Sequence, residues 1–452
     1  LGPKGLEQVL ATGLPKLELS AMTTDAEGRF WVRSREELWY REQGESQFTP
    51  AAGRFPASNG VCSLSLTPEG RVAVPTERGL QIQQEGGGWR TIREQQGLPS
   101  DQVVFAYWDR DRGLWTGLES YFVARALGDG AWTGFTALDG LASNTVTSFA
   151  RDVDGRLWAG TTLGLCVLAE ESDGRRVWRR HSAFPAERGR TLTADPAGGQ
   201  GIGLTQGGFF RLDVRTGQLR RFGAADGLRD TQAVSLTLDR DGTLWVPTRN
   251  GLYRTQVEGG PWHFEAVPVP DHNGDSVIYR VIRTRDGELW AAGRQGLLKR
   301  QGEGWRQYLT RDGLLHPNLV FLAEDAGGAL WAGYGPPMGL SRIRVQPGGQ
   351  LQLDHFDEDN GLSSDDLSFI EADRGGRIWI GTDQGVDVFE NGRFLHLSTS
   401  DGLIWQDTVL GAFLEEPSGS IWIGTTRGVS HLEPRRLKPR AVPRVRWWGR
   451  KP

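Results

Sequence analysis

The stretch Asp152-Val-Asp-Gly-Arg-Leu-Trp-Ala-Gly-Thr-Thr-Leu-Gly-Leu165 is the clearest copy of a phrase that recurs ten times along the 452-residue chain. The Trp position of that phrase is filled in turn by Trp31, Ala73, Trp115, Trp158, Gly201, Trp245, Trp290, Trp331, Trp379 and Trp422. Successive spacings are 42, 42, 43, 43, 44, 45, 41, 48 and 43 residues. Self-similarity at about 40 to 50 residues is typical of β-propeller blades.

Within one repeat the alternation of apolar and polar residues has a period of two, which predicts strands. Four short runs can be counted: residues 144–150 as an innermost strand, residues 157–161, a third run from Gly164, and an outer run near Trp178. Asp and Gly at 152–155 predict a tight turn between the first two runs. Trp158 and its equivalents are predicted to fill the space between neighbouring blades. The fold class is therefore all-β, a propeller of four-stranded blades over residues 1–434.

The two ends of the chain look complementary. After residues 428–431 no outer strand follows, because Pro434 and Pro439 interrupt the chain, whereas residues 5–10 resemble an outer strand at the start. We therefore predict one ten-bladed ring closed by the N-terminal strand, which would remove exposed sheet edges. Two smaller propellers are the alternative. Residues 435–452, which are rich in Lys and Arg, are predicted to be a basic tail or linker toward an absent β-sandwich domain.

Composition narrows the classes of function. The formal net charge is −4, so no nucleic-acid partner is expected, and no run of about 18 apolar residues exists. Cys62 and Cys166 occupy non-equivalent positions in their repeats and are expected to be free thiols. The phrases at residues 152–155 and 239–242 resemble calcium loops only in part, and turns are the favoured interpretation. No cofactor, metal site or catalytic motif is predicted, and the chain is not expected to be an enzyme.

The phrase Gly97-Leu-Pro-Ser-Asp-Gln-Val103, followed by the Trp phrase, resembles the two-component regulator propeller repeat. The resemblance covers essentially the whole chain. It implies an extracytoplasmic sensor region, periplasmic or extracellular, of a bacterial two-component regulator, often recognising oligosaccharide fragments. It also implies membrane-anchored signalling domains C-terminal to this region, and a homodimer is included among the expected partners. Members of the family commonly carry fourteen repeats in two seven-bladed rings, whereas ten are counted here.

Loops that enter the innermost strands converge around the ring axis, and their chemistry differs most between repeats. A mixture of carboxylates, amides and Arg suits a polyhydroxylated ligand, and an exposed indole at Trp405 could stack on a sugar face. For any single residue, a solvated loop position is the alternative. The predicted ligand-binding residues are Asp101, Asn144, Arg188, Asp230, Asp275, His316, Asp365, Trp405 and Asp407, with Arg190, His272 and Asp366 as further candidates.

Two other functions remain open at this stage. A carbohydrate-active lyase or hydrolase would place a close carboxylate pair, or a carboxylate and a Tyr, at the channel mouth. A protein-binding scaffold would instead present an apolar patch at the rim.

Overall fold

The computed structural model describes residues 13–14, 18–57, 63–93, 98, 100–109, 114–118, 123–126, 132–171, 176–182, 184, 191–195, 200–205, 208–213, 216–257, 261–270 and 277–433. Strands β1 to β39 of these residues form ten antiparallel sheets. Within the same residues, no helix is long and apolar enough to cross a membrane.

Three sheets come first along the chain. The first contains β1 (Ala21–Thr24), β2 (Phe30–Arg33), β3 (Leu38–Arg41) and β4 (Thr49–Pro50). The second contains β5 (Ser65–Leu66), β6 (Val72–Thr76), β7 (Gly79–Gln83) and β8 (Trp89–Ile92). The third has β9 (Val103–Trp108), β10 (Leu114–Leu118) and β11 (Val123–Ala126), paired in the order β11-β10-β9. We call these the N-terminal sheets.

The remaining seven sheets, which we call blades one to seven, lie between residues 132 and 433. Blade one contains β13 (Val146–Arg151), β14 (Leu157–Thr161), β15 (Gly164–Glu170) and β16 (Arg176–Arg180). Blade two contains β17 (Leu192–Asp195), β18 (Gln200–Thr205), β19 (Gly208–Asp213) and β20 (Leu219–Phe222). Blade three contains β21 (Thr237–Leu238), β22 (Thr243–Thr248), β23 (Gly251–Gln256) and β24 (Glu265–Val267).

Blade four contains β25 (Ile278–Arg283), β26 (Leu289–Gly293), β27 (Gly296–Gln301) and β28 (Gly304–Tyr308). Blade five contains β29 (Leu319–Glu324), β30 (Leu330–Tyr334), β31 (Leu340–Val345) and β32 (Leu351–Phe356). Blade six contains β33 (Leu367–Ala372), β34 (Ile378–Thr382), β35 (Gly385–Glu390) and β36 (Arg393–Leu397). Blade seven joins β37 (Thr408–Glu415), β38 (Ile421–Thr425) and β39 (Gly428–Leu432) to a distant strand, β12 (Trp132–Phe135).

Blades one to seven pack in a closed series. The innermost strands β25, β29, β33, β37, β13 and β17 contact one another in that order, and β21 contacts β25. Phe209 and Phe222 of blade two share a core cluster with Leu244 and Val246 of blade three, which completes the circuit. The closing element is β12, which pairs antiparallel with β39, from Trp132 opposite Leu432 to Phe135 opposite Val429.

This pairing corrects the predicted ten-bladed ring closed by the N-terminal strand. The outer position beside β39 is occupied by β12, so residues 5–10 cannot hold it; those residues lie outside the described part of the chain. The spacing between Trp115 and Trp158 is 43 residues, as regular as the others, although the closed series begins between them. A regular repeat therefore does not indicate where one group of sheets ends, and the strand that contains Trp132 pairs with the last repeat of the chain.

Among the residues that the structure describes, five short 3-10 helices introduce inner strands: Ala137–Asp139, Ala224–Asp226, Thr310–Asp312, Glu358–Asn360 and Thr399–Asp401. In the first, Asp139 Oδ2 accepts from the backbone nitrogen of Thr136 at 2.8 Å, which caps the turn. The following Gly140 has φ 93°, and a Cβ there would lie 1.9 Å from the carbonyl oxygen of Trp178. Only glycine fits this close approach, which explains the recurrent Asp-Gly pair.

One hydrogen bond recurs in most sheets and explains the sequence phrase. In Asp152, Oδ1 accepts from the backbone nitrogen of Arg156 at 2.8 Å and Oδ2 accepts from Trp158 Nε1 at 2.8 Å. The same Asp-to-indole bond, six residues apart, is made by Trp31 (2.7 Å), Trp115 (2.8 Å), Trp245 (3.4 Å), Trp331 (3.0 Å) and Trp379 (2.8 Å), while Glu416 serves Trp422 (2.8 Å). The carboxylate thus fixes the turn and the indole together.

The predicted position of these Trp residues between blades is confirmed. Trp422 of blade seven packs with Phe149 and Ala159 of blade one, and Trp331 of blade five packs with Ile370 and Ile380 of blade six. Trp158, Trp331, Trp379 and Trp422 are 0 to 3% exposed. Each indole therefore fills the wedge between two sheets while its single polar atom remains bonded.

The bond beneath Trp379 yields a stability prediction. Asp373→Ala leaves the buried indole N–H of Trp379 and the backbone N–H of Arg377 without their acceptor. We expect a loss of about 2 to 3 kcal/mol in the free energy of unfolding, measured with urea. The control is Asp354→Ala, which removes an exposed ion pair with Arg344 and should change stability by about 0 to 1 kcal/mol. Equal losses would contradict a structural role for the Asp–Trp bond.

Closure by β12 yields a second prediction. Phe135 stacks on Trp422 with ring centroids 5.7 Å apart and meets Trp178 edge-on at 6.3 Å. Phe135→Ala should lower the free energy of unfolding by about 3 to 5 kcal/mol because it opens a cavity where the ring closes. Leu138→Ala, three residues further at a side chain that is 71% exposed, is the matched control and should be neutral. Indistinguishable melting curves for the two variants would rule out this closure.

Candidate functional site

A cavity of about 520 Å³ lies on the axis of the seven blades. Residues in or just before the innermost strands of blades one to five and seven surround it. We call the face of the ring that carries the loops leading into the innermost strands, and the turns between second and third strands, the entry face. The cavity is lined by Thr147, Thr191, Gln232, Ala233, Val234, Ser235, Arg249, Tyr279, Arg280, Val320, Phe321, Val409, Leu410 and Gly411. Its volume lies within the range of about 300 to 1,000 Å³ that is usual for small-molecule sites.

The cavity has two chemically different walls. Blades three and four contribute Gln232, Arg249, Tyr279 and Arg280, which are hydrogen-bonding or cationic side chains. Blades five and seven contribute aliphatic or aromatic side chains, which are those of Val320, Phe321, Val409 and Leu410. A ligand in the cavity would therefore meet polar groups on one side and an apolar surface on the other.

An ion pair joins two non-adjacent blades beside the cavity. Arg280 Nη2 of blade four lies 2.6 Å from Glu371 Oε1 of blade six. Burial raises the pKa of Glu371, and the neighbouring Arg280 lowers it again. Because both side chains are only about a quarter exposed, the pair is largely shielded from solvent. The guanidinium of Arg280 is thus neutralised and oriented by the protein itself.

Two further polar groups of the lining are held differently. Tyr279 Oη accepts a hydrogen bond from Arg294 Nε at 2.9 Å, so the phenol is fixed in place. Arg249 occupies the exposed turn between β22 and β23, where Asp230 Oδ2 accepts from the backbone nitrogen of Asn250 at 2.9 Å. The turn is therefore positioned while the guanidinium of Arg249 stays at the surface of the cavity.

Sequence reasoning missed these lining residues because it considered only the loops before the innermost strands. Arg249 stands at the first variable position of the phrase Thr-x-x-Gly, where blades one, four, six and seven have Thr162, Arg294, Asp383 and Thr426. That variation was a usable signal. A second signal was Arg280, a cation in the middle of innermost strand β25.

Part of the predicted rim does come together, on the side of blades one, six and seven. The guanidinium of Arg427 lies 3.7 Å from the ring centroid of Trp405, so one face of the half-buried indole is already covered. Asp407 Oδ2 accepts from Thr426 Oγ1 at 3.0 Å, and the carbonyl of Thr426 is 3.4 Å from Thr145 Oγ1, next to Asn144. We call the surface around Trp405, Asp407 and Asp366 the rim arc.

Asp366 adds to the rim arc a carboxyl group whose pKa is raised. Its pKa is raised, first by burial and then by the carboxylates of Asp383 and Asp407. Asn144 and Asp365 serve the backbone instead: Asn144 Oδ1 accepts from the nitrogen of Ala137 at 2.7 Å, and Asp365 Oδ1 from that of Glu358 at 3.0 Å. These two predicted ligand contacts are therefore engaged in holding their own loops.

The other predicted site residues are dispersed. Asp230 Oδ1 accepts from the backbone nitrogen of Gln232 at 2.9 Å and so positions a residue of the cavity lining. His316 Nδ1 accepts from the nitrogen of Asn318 at 3.0 Å within its own loop. Asp101 precedes β9 in the third N-terminal sheet, apart from the cavity. Arg188, Arg190, His272 and Asp275 lie outside the described residues.

A buried carboxylate anchors the loop that carries Asp365 and Asp366. Asp387 is fully buried and accepts from both the backbone nitrogen and the hydroxyl of Ser363 at 2.8 Å. Its other oxygen lies 3.1 Å from His396 Nδ1. This hydrogen bond with Asp387 raises the pKa of His396, and burial opposes the effect.

The possible metal ligands and the cysteines have the following surroundings. Among the described residues, no group of three or more His, Cys, Asp or Glu side chains is arranged to hold a metal ion. The carboxylate oxygens of Asp152 are engaged by Arg156 and Trp158. Cys166 is a buried free thiol whose pKa is raised by desolvation, while Cys62 lies outside the described residues.

Residues 140–162, which run from the entry loop of blade one through β14, match the family model described as two component regulator propeller. This segment is a two-component regulator propeller repeat. The resemblance stated from the Trp phrase is thereby confirmed for these residues. Among curated protein sequences, none matches the chain.

Solved structures with similar propeller repeats include two extracellular domains described as parts of hybrid two component systems of B. thetaiotaomicron. One has a TM-score of 0.68 and 15% identity, covering 92% of this chain and 56% of that chain. The other has a TM-score of 0.54 and 17% identity, covering 95% and 60%. The chain thus spans less than two thirds of either domain.

A streptogramin B lyase is also similar, with a TM-score of 0.50 and 14% identity, covering 67% of this chain and 96% of that chain. Nearly the whole of that protein therefore matches about two thirds of this one. At such identities these likenesses describe the fold alone.

The pair of Asp387 and His396 beneath the propeller entry loop predicts a pH dependence. Because the pKa of His396 is raised in the folded state, the pair stabilises the fold below about pH 6.5, the usual His value, and this contribution is lost as the pH rises through the folded pKa. We expect the melting temperature of the wild type, relative to His396→Gln, to be higher at pH 5.5 than at pH 8.5. A difference that is constant with pH would show that His396 is uncharged in the fold.

Proposed function

We propose that this chain is the extracytoplasmic ligand-binding sensor domain of a bacterial signal-transduction protein. The proposal is supported by the propeller repeat at residues 140–162 together with the axial cavity, which provides a small-molecule site of ordinary size. The fold likeness to extracellular domains of hybrid two component systems supports the same placement, outside the cytoplasm. The expected partners are membrane-anchored signalling domains beyond this region, with a homodimer as the arrangement that would transmit ligand binding.

The ligand is proposed to be an oligosaccharide or another small polar solute, held at the entry face. The rim arc offers carboxylates at Asp366 and Asp407, and an indole at Trp405 backed by Arg427. Sugar hydroxyls can donate to those carboxylates, while a sugar ring can lie on the uncovered side of the indole. This proposal keeps fewer than the nine ligand-binding residues predicted from the sequence. Asn144 and Asp365 are left out because their side chains accept hydrogen bonds from backbone N–H groups of their own loops.

A carbohydrate-active lyase or hydrolase is the second candidate, and one observation favours it. The pKa of Asp366 is raised beside two further carboxylates at the channel mouth, which suits a general acid. The fold itself hosts a lyase, yet fold alone does not determine function. The two candidates differ in turnover: a sensor binds its ligand and releases it unchanged, whereas an enzyme releases new reducing ends or unsaturated products.

Trp405→Ala tests the rim arc. A library of plant and microbial oligosaccharides is first screened by thermal shift, since a ligand at about 100 times its dissociation constant adds roughly 2.7 kcal/mol to stability. For the ligand that is found, Trp405→Ala should weaken binding by about 1 to 3 kcal/mol in calorimetric titration while the melting temperature changes little, because the indole is only half-buried.

The matched control is Asp241→Ala on the opposite face of the ring, where the Asp-Gly turns lie. Asp241 is partly exposed and bonds only within its own turn and to Arg283, so affinity should be unchanged. Full affinity in Trp405→Ala together with lost affinity in Asp241→Ala would move the site to the other face. Accumulation of cleaved product during the same titrations would favour the enzyme instead.

A further inference from the structure

We propose that the axial cavity takes a small organic anion that has one acid group and an apolar face, with Arg249 binding the acid group. This inference rests on the proposed ligand-binding function and specifies the chemical class of the ligand. It also places the specificity-determining contact at Arg249 of blade three, apart from the rim arc.

Arg249 supplies the unbalanced charge among the described residues that line the cavity. Its guanidinium makes no hydrogen bond or ion pair with any of the described residues, although it lines the cavity. The equivalent residues of other blades are engaged: Thr162 Oγ1 is 2.7 Å from Ser143 Oγ, Thr426 bonds Asp407, and Arg294 bonds Tyr279. A planar guanidinium with free donors is the group best suited to bind a carboxylate bidentately.

The second cation of the lining does not compete for the ligand's acid group. Arg280 is already paired with Glu371 at 2.6 Å. Among the described residues of the polar wall, the net charge is therefore carried by Arg249, which favours a ligand with a single acid group. Tyr279, Gln232 and Thr191 can bond to hydroxyls beside that acid.

The opposite wall argues against a bare inorganic anion. Leu410 is 49% exposed on innermost strand β37, and Phe321 and Val320 of β29 line the same side. Covering an exposed, large aliphatic side chain in a concave site with an apolar ligand surface is favourable, because apolar area is removed from water. The C–H face of a sugar ring or the face of an aromatic ring would supply that surface. Acidic sugars and aromatic acids therefore share the required chemistry, which is a carboxylate attached to a body with an apolar face.

Two pairs of probes distinguish the sources of that chemistry. Cellobiuronic acid and cellobiose differ only in a carboxylate on a sugar body, and 3-phenylpropionate and 3-phenylpropanol differ only in a carboxylate on an aromatic body. Titration calorimetry with the full chain should detect binding of at least one acid, at least about tenfold tighter than that of its neutral partner. Arg249→Gln should weaken binding of that acid about 10- to 100-fold, because a hydrogen bond to a charged group is lost.

Arg285→Gln is the matched control: it removes the same charge from the exposed turn between β25 and β26 of blade four, on the opposite face of the ring, and Arg285 does not line the cavity. It should leave affinity for the acid within about twofold of the wild type. Both arginine changes are at the surface, so comparable melting temperatures are expected.

Three outcomes would overturn the proposal: no binding of either acid, equal binding of acid and neutral partner, or equal loss in the two variants. A neutral oligosaccharide that binds while both acids fail would leave the sensor function intact and remove only the anionic ligand. Loss of all ligand binding throughout the oligosaccharide screen would instead count against the sensor function itself.

Discussion

The hydrogen bond from a Trp indole to an acidic residue six positions earlier is the interaction on which the blades depend. One carboxylate, such as that of Asp325, binds the backbone nitrogen of Ala329 at 3.0 Å and Trp331 Nε1 at 3.0 Å. The first bond sets the turn between the two inner strands, and the second orients an indole that is wholly buried against the next blade. Local turn chemistry and packing between sheets are thus fixed by the same side chain, and for that reason they recur together in the sequence.

That coupling explains why the blade was predictable and the ring was not. The Asp, Gly and Trp of the phrase report on a single sheet and its neighbour, and both were identified correctly for Trp158 and Trp379. Closure depends on which of several similar outer strands pairs with β39. The segment around Trp132 and residues 5–10 both have the sequence pattern of an outer strand, and nothing in the local chemistry of either segment favours it as the partner of β39. Pairing between strands that are far apart in sequence is decided by the whole assembly.

The residues of the candidate site also fall into those that the sequence predicted and those that it did not. Polar residues of the entry loops were visible as departures from the repeat, and Trp405, Asp407 and Asp366 do share one part of the rim. Asn144 and Asp365 show what the sequence could not reveal. Each side chain accepts a hydrogen bond within its own loop, and the sequence alone does not distinguish such an acceptor from a polar side chain that is available to a ligand. The axial residues Tyr279 and Arg280 belong to a strand whose pattern is mainly apolar, so only the closed ring reveals that they face a common space.

The pairing of β12 with β39 also has a kinetic consequence during synthesis. The closing strand at residues 132–135 leaves the ribosome before any blade of the ring, yet its partner at residues 428–432 is made last. At about 5 to 20 residues per second, roughly 15 to 60 s separate the two events. Throughout that interval both edges of the growing array are open to wrong pairing, including pairing with a second nascent chain. The ring is thus completed only after residues 428–432 have been synthesised, in a step of very high contact order, and that step is where chaperones or domain swapping would act.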